Sequence, residues 1–480
     1  MISFVNQLRR LAAERPDAVA VSCQGESITR AGLLERGGDL AVHLQGLGVG
    51  TGDLVTVALP NSIDWFVSYV AIWLLGATPQ PVSSRLPQRE LEALIELADP
   101  PVVIGAPDGA VHGRHSIPAG FRAPRADASV LPDVVSPAWK APTSGGSTGR
   151  PKLIVSGDPA VMDETAPPPL MMDPGGCLVM PGPLYHNGPA VWSWQALLNG
   201  LSVALMPRFD AEGTLAEIEQ HRGSVLYMVP TMMKRIWRLP EDVRLRYDLS
   251  SLRVVWHLAE PCPEWLKQCW IDWLGPERIM ELYAGTEAQT ATVITGAEWL
   301  AHRGSVGRVQ PGTVMITDDD GNEVPTGEMG EVWMRSLRGT PTYRYVGATA
   351  RTREGGWESL GDMGRLDADG YLYLGDRASD MILSGGANIY PAEVEAAIQE
   401  HPAVQSCAVI GLPDEDKGAV IHAIVEASAS AVVEDELRAF LAERLVTYKI
   451  PRTFEYVDFP LRGDDGKVRR SALRAERVKE

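Results

Sequence analysis

The sequence predicts an α/β protein: a large multi-layer N-terminal unit followed by a smaller α+β unit. Three observations carry this reading. Short β-rich runs alternate with apolar helical stretches from about residue 30 onward. The texture changes to short, turn-rich strands after Asp362. The length of 480 residues also exceeds one ordinary domain of roughly 100 to 200 residues.

In the large unit, the runs 54–59, 202–206, 225–229 and 253–257 read as largely buried strands. The apolar stretch 63–75 is interrupted by Asp64 and Ser68 and falls short of the about 20 residues that span a bilayer. It reads as a buried helix closed by Gly76. Gly46, Gly48, Gly50 and Gly52 follow a helix-like segment and precede a strand, the reverse of a dinucleotide-binding order, so they read as a connecting turn. The stretch 106–142, rich in Pro, Gly and Ala, reads as loops and short strands.

A strand 371–374 precedes the smaller unit, which holds a strand 381–383 and then a helix that Pro391 starts at Ala392. Strands 406–410 and 422–426, a helix 434–445 and a strand 454–457 complete it. The division is placed between residues 1–376 and 377–480.

A formal charge of −18 argues against nonspecific grip on nucleic acid or anionic lipid, which needs clustered Lys and Arg. An anionic ligand must then meet locally arranged cations. The five cysteines (Cys23, Cys177, Cys262, Cys269 and Cys407) have no CxxC spacing and suit neither a zinc site nor a disulfide framework, so a reducing cytoplasm is expected. The first ten residues lack a signal-peptide apolar core and no membrane span is expected. The sequence leaves the oligomeric state open, a homodimer included.

The most informative segment is Thr143-Ser144-Gly145-Gly146-Ser147-Thr148-Gly149-Arg150-Pro151-Lys152, with Leu153-Ile154-Val155 after it. Glycines let backbone approach an anion, while hydroxyls, amides and the two cations donate to phosphate oxygens. By composition alone the run also suits a flexible linker. A Walker A loop needs Gly-Lys-Ser/Thr opening a helix, and a GxSxG nucleophile elbow must turn from strand into helix. Pro151 and the β-type residues behind Lys152 argue against both.

With this segment in place, the chain resembles the adenylate-forming superfamily of acyl-CoA synthetases, nonribosomal peptide adenylation domains and luciferases. Further matches follow in that family's order: Pro183-Leu184-Tyr185-His186, Tyr283-Ala284-Gly285-Thr286-Glu287, Gly304-Ser305-Val306-Gly307-Arg308, Leu360-Gly361-Asp362, Gly375-Asp376-Arg377 and Gly466-Lys467. They span most of the chain. Tyr185-His186-Asn187-Gly188-Pro189 and Pro261-Cys262-Pro263-Glu264-Trp265-Leu266-Lys267 are most similar to the branch acting on bile acids and terpenoid acids.

The resemblance implies an acyl-CoA ligase working through an acyl-adenylate, using ATP (or acyl-AMP), Mg²⁺ and coenzyme A, with a mobile C-terminal domain. It assigns Thr143, Ser144, Gly145, Gly146, Ser147, Thr148, Gly149 and Lys152 to the β- and γ-phosphates, and Lys467 to the carboxylate and α-phosphate. Alone, Lys467 reads as a solvated turn lysine. Glu287 is the implied Mg²⁺ ligand, with the Thr286 hydroxyl beside it. Ala259, Glu260 and Pro261 form the strip against adenine, and Tyr283 offers it a face; without the motif Tyr283 reads equally as a core residue. Asp362 suits the ribose hydroxyls and Arg377 ribose or phosphate, although either suits an ordinary loop ion pair.

His186 is implied beside the acyl carboxylate. Since Tyr185-His186-Asn187 supplies no carboxylate for an ammonium group, α-amino acids are disfavoured as substrates. Trp192, Trp194 and residues 228–233 suit either a large apolar acid pocket or the core. Gly385 and Gly386 would let pantetheine pass close to the backbone. Ser379 stands at the implied hinge, where relatives carry Asp or Lys. Glu260 stands where bile-acid relatives more often have Ala, and a carboxylate near triphosphate suggests an enzyme favouring the thioester half-reaction on preformed adenylate. The other alternative is a stand-alone adenylating enzyme that loads a carrier protein.

Overall fold

The computed structural model describes residues 1–106, 111–145, 151–338, 340–377, 380–384, 387–414, 418–427, 433–463 and 468–478. Gly146, Ser147, Thr148, Gly149, Ser379, Gly385, Gly386 and Lys467 therefore lie outside the described residues, and Ser144, Gly145 and Arg377 are described as strand backbone.

The elements that build the large unit's site are α1 (Ile63–Leu74), β1 (Thr143–Gly145), β2 (Pro151–Ser156), β3 (Cys177–Met180), α2 (Asn187–Leu198), β4 (Ser202–Leu205), β5 (Val225–Met228) and α3 (Pro230–Trp237). They continue with β6 (Val254–Leu258), β7 (Ile279–Ala284), β8 (Tyr343–Val346), β9 (Trp357–Leu366) and β10 (Tyr371–Arg377). The smaller unit contains α4 (Pro391–Gln399), β11 (Ser406–Asp414), β12 (Gly418–Glu426), α5 (Glu434–Ala442) and β13 (Thr453–Val457).

The strands β4, β3, β5, β6 and β7 lie side by side in parallel in the main sheet, with residue pairs such as Val225↔Val254 and His257↔Glu281. Every residue of β3, β5 and β6 is buried, as parallel strands covered by helices on both faces require. Beyond β7 the sheet turns antiparallel through residues 291–309 to β10 and β9. A separate three-stranded sheet runs β8-β2-β1.

Helix α1 is apolar around its circumference and lies in the core, where Trp65, Tyr69 and Trp73 pack against Trp194. Its one acid, Asp64, sits under Arg36 and Arg122. Gly76 at φ +68 turns the chain out of it, a conformation glycine adopts without a Cβ penalty.

The smaller unit has its own core of Val394, Ile398, Cys407, Val425, Leu437 and Leu441. Pro391 itself is the first helical residue of α4, since its missing N–H would have no partner there. Helix α5 ends at Ala442 rather than at 445: the chain continues through a turn to a single 3₁₀ turn, Thr447–Lys449. Strand β10 runs through Arg377 and so carries the large unit's sheet up to the segment joining the two units. Between the units, Lys234 of α3 donates from Nζ to Gln399 Oε1 at 3.4 Å, and Arg238 Nη2 donates to the His401 carbonyl at 3.5 Å. All five cysteines are free thiols, and among the described residues no helix is long and apolar enough to cross a membrane.

Candidate active site

The glycine-rich segment starts on β1 and ends on β2, which pair antiparallel with Thr143↔Leu153, Ser144↔Lys152 and Gly145↔Pro151. The loop between them thus joins two strands of a hairpin, which excludes both the strand-to-helix Walker A arrangement and the nucleophile elbow. On the other edge of β2 lies β8, with Tyr345↔Ile154 and Val346↔Leu153. That pairing brings Tyr345 beside Lys152, whose Nζ lies 3.9 Å from the ring centroid.

Both residues converge on Glu287. Its Oε1 accepts from the Tyr345 hydroxyl at 2.5 Å and lies 3.5 Å from Lys152 Nζ. Its backbone carbonyl accepts from Thr342 Oγ1 at 2.8 Å. Burial, reinforced by the bond to Glu287, pushes the Tyr345 phenol well above its ordinary range, so it stays a donor. Glu287 and Thr286 sit in the tight turn 285–288 that follows β7, closed by Ala288 N–H to Gly285 O at 3.1 Å. A Cβ at Gly285 would collide with Leu360 and crowd the Glu287 carboxylate, so glycine allows this turn to meet the 360–362 segment. One buried carboxylate with a neighbouring hydroxyl is the donor set that suits Mg²⁺ when phosphate oxygens complete the coordination.

The 360–362 segment belongs to β9, where Asp362 pairs in register with Arg377 of β10. Asp362 Oδ2 accepts from the Tyr283 hydroxyl at 2.7 Å. The strip after β6 holds Ala259 at φ +72, a left-handed conformation that turns the chain sharply. Glu260 Oε2 accepts from the Thr231 backbone N–H at 3.0 Å and from its hydroxyl at 2.8 Å, so the carboxylate meets the positive end of α3. Beneath this strip, Lys267 forms a buried ion pair with Glu281, opposite the fully buried imidazole of His257. Among the described residues neither His257 ring nitrogen has a hydrogen-bond partner, and burial with Lys267 nearby holds it well below the usual imidazole range.

His186 is the N-cap of α2, its ring 4.2 Å from that of Tyr185. Asn187, the first helical residue, accepts from Lys140 Nζ. A Cβ at Gly188 would strike the Tyr227 hydroxyl, so glycine lets Tyr227 close over the helix start. Trp192 and Met232 reach the cleft, whereas Trp194, Met228 and Met233 are core.

A single cleft of about 3440 Å³ brings together Thr143, Lys152, His186, Ala259, Glu260, Pro261, Tyr283, Thr286, Glu287 and Asp362. Residues of the smaller unit, Gln399 and Arg462 among them, also line it. Lys140, Thr231, Thr342 and Tyr345 touch the candidate site residues without being revealed by the sequence. Only Lys140 carries a signal, a charge in an otherwise apolar approach to the glycine loop.

Residues 8–344 match the AMP-binding enzyme family, and residues 393–463 match the AMP-binding enzyme C-terminal domain. The chain is 34% identical over 492 residues to a feruloyl-CoA synthase of an Amycolatopsis species, with 97% of each chain covered. It is 31% identical over 524 residues to a methyl-dioxo-octahydroindenyl propanoyl:CoA ligase of Rhodococcus jostii, with 98% of each covered. Its fold is shared with o-succinylbenzoate CoA synthetase from Bacillus subtilis in complex with its acyl-adenylate intermediate (TM-score 0.81, 24% identity, 98% of this chain and 97% of that one).

Proposed function

Since the chain belongs to the AMP-binding enzyme family, among its acid–thiol (CoA) ligases, we propose that it converts a bulky apolar carboxylic acid without an α-ammonium group into its CoA thioester. In the first half-reaction a carboxylate oxygen attacks the α-phosphorus of ATP, the bond to the β-phosphate oxygen breaks, and pyrophosphate leaves. In the second, the CoA sulfur attacks the acyl carbon, the acyl C–O bond breaks, AMP leaves with that oxygen, and the thiol proton passes to solvent.

The observation that carries this reading is the convergence of Lys152, Glu287 and the Tyr283–Asp362 pair on one cleft. Two like unit charges about 4 Å apart repel by roughly 4 kcal/mol at an effective dielectric of 20, so carboxylate and triphosphate need fixed cations. Lys152 and the residues of the glycine loop take the β- and γ-phosphates, and Lys467 the carboxylate and α-phosphate. Thr286 and Glu287 would hold Mg²⁺, which offsets phosphate charge when bound. Asp362 and Arg377 take the ribose, the 259–261 strip and Tyr283 the adenine, and Gly385 and Gly386 the pantetheine. The division at 376/377 gives the smaller domain freedom to serve both steps.

The engagement of Glu260 by Thr231 supports the full two-step reaction over a thioester-only enzyme, because its charge is directed at the start of α3. Trp192, Tyr227 and Met232 support a wide apolar acid pocket. The acids named for the feruloyl and octahydroindenyl relatives fit a ring-bearing substrate.

The test is a screen of ferulate, cholate, abietate and palmitate with ATP, Mg²⁺ and CoA, following AMP and thioester together. Equimolar AMP and acyl-CoA from at least one acid is expected. AMP release that yields thioester only on an added carrier protein would replace this reading with the carrier-loading one, and no product from any acid would overturn both.

A further inference from the structure

The described residues hold three deeply buried lysines, and they differ in what faces them. Lys267 is ion-paired with Glu281. Lys234 donates to Gln399 across the domain interface. Lys140 is 8% exposed and donates from Nζ to one neutral acceptor, Asn187 Oδ1. No carboxylate of the described residues comes within ion-pair distance of it. An ammonium has three N–H donors, and a buried charge without a counter-charge is costly. Of the three lysines only Lys140 lines the cleft, together with Asn187, Thr143, Lys152 and Glu287.

Its position is fixed from both sides. The Lys140 carbonyl accepts from Ser156 N–H at 3.0 Å, the Ala141 N–H donates to the Pro79 carbonyl at 2.9 Å, and the ammonium lies 4.3 Å from the Trp139 ring centroid. The side chain is therefore held at the start of α2, where the helix also presents its first backbone N–H groups.

We infer that Lys140 is an oxyanion-binding residue of the cleft, taking a ligand oxygen from the acid's carboxylate or from a nucleotide phosphate in place of the carboxylate the protein withholds. This rests on the ligase reading above. Burial supports it by lowering the Lys140 ammonium to about 7, against the opposing pull of Asp158 and Glu287. Other titratable groups lining the same cleft include Lys152 on β2, Tyr185 and His186 at the cap of α2, and Tyr345 on β8. At pH 8 the amine is then largely neutral, and an arriving oxyanion draws a proton onto it, so binding takes up a proton and weakens as pH rises above 7.

Calorimetric titration of the full chain at pH 8 in Hepes and in Tris, with ATP and with each acid of the screen, measures affinity and proton uptake without turnover. The expected result is that one ligand class binds wild type with proton uptake, and that Lys140→Met binds the same class at least about tenfold more weakly without that uptake. Loss confined to the acids assigns the carboxylate, and loss confined to ATP assigns the phosphate. A folded Lys140→Met chain that binds every ligand with wild-type affinity and proton count overturns the inference. Should that variant not fold, the absence of proton uptake by wild type overturns it alone. Failure of the ligase reading shows separately, as no thioester from wild type in the screen.

Discussion

The Tyr283 hydroxyl donates to Asp362 Oδ2 at 2.7 Å, so the residue assigned to adenine and the one assigned to ribose form a single hydrogen-bonded unit. The bond ties one oxygen of the Asp362 carboxylate to the Tyr283 phenol. Tyr283→Phe keeps the ring and removes that bond, and a lost hydrogen bond to a charged group should raise the KM for ATP by about tenfold. Pyrophosphate release at varied ATP and at varied acid checks this: the acid KM should stay near wild type, and an unchanged ATP KM would separate the two residues.

Glu287→Gln removes ligand charge at nearly constant volume while leaving the Tyr345 hydroxyl an acceptor. The Mg²⁺ concentration for half-maximal adenylation should rise by roughly tenfold or more, with little change in binding of the free acid. Equal losses in both would contradict a metal role.

Lys467→Ala should reduce adenylate formation by a factor of about 100 or more, as when one preorganised charge is removed from a site of developing negative charge. Thioester formation from synthetic acyl-adenylate and CoA should largely survive. If a folded variant loses both half-reactions equally, the lysine does not act in the first step alone.

His257 gives a stability prediction with a definite sign. Its folded-state value is depressed by burial and by Lys267, so the unfolded chain binds the proton first. The neutral imidazole is fully tolerated above the unfolded value near 6.5, and stability falls as pH drops below it by up to about 1.4 kcal/mol per pH unit. All 13 tryptophans lie within residues 65–357, so urea unfolding followed by tryptophan fluorescence reports on the large unit. Its midpoint should drop between pH 7 and 5.5, and His257→Phe should flatten that dependence.

The elements that sequence made legible are those set by local pattern. Helix α1 is apolar all round, the run 54–59 before it is short and β-rich, and the glycine run precedes a strand, so class and layering could be anticipated. Of the motif residues, Thr143, Lys152, His186, Tyr283, Thr286, Glu287 and Asp362 line the cleft. What sequence left open was decided by contacts distant along the chain. Tyr345 reaches Lys152 because β8 adds to the edge of β2, and Thr231 reaches Glu260 because α3 starts beside the β6 strip; neither pairing has a periodicity. Trp192 and Trp194 stand two residues apart on α2 with the same composition around them, yet one faces the cleft and the other the core, a choice made by the packing of α1.

Helix α3 reaches from the 259–261 strip, where Thr231 holds Glu260, to the smaller unit, where Lys234 meets Gln399. Anyone exchanging the C-terminal domain for that of another enzyme inherits a rule from this. An apolar side chain at position 399 would strand a buried amine, and a shifted backbone at 401 would release Arg238. Chimeras should accordingly be spliced after His401, retaining the native α4, rather than at 376/377.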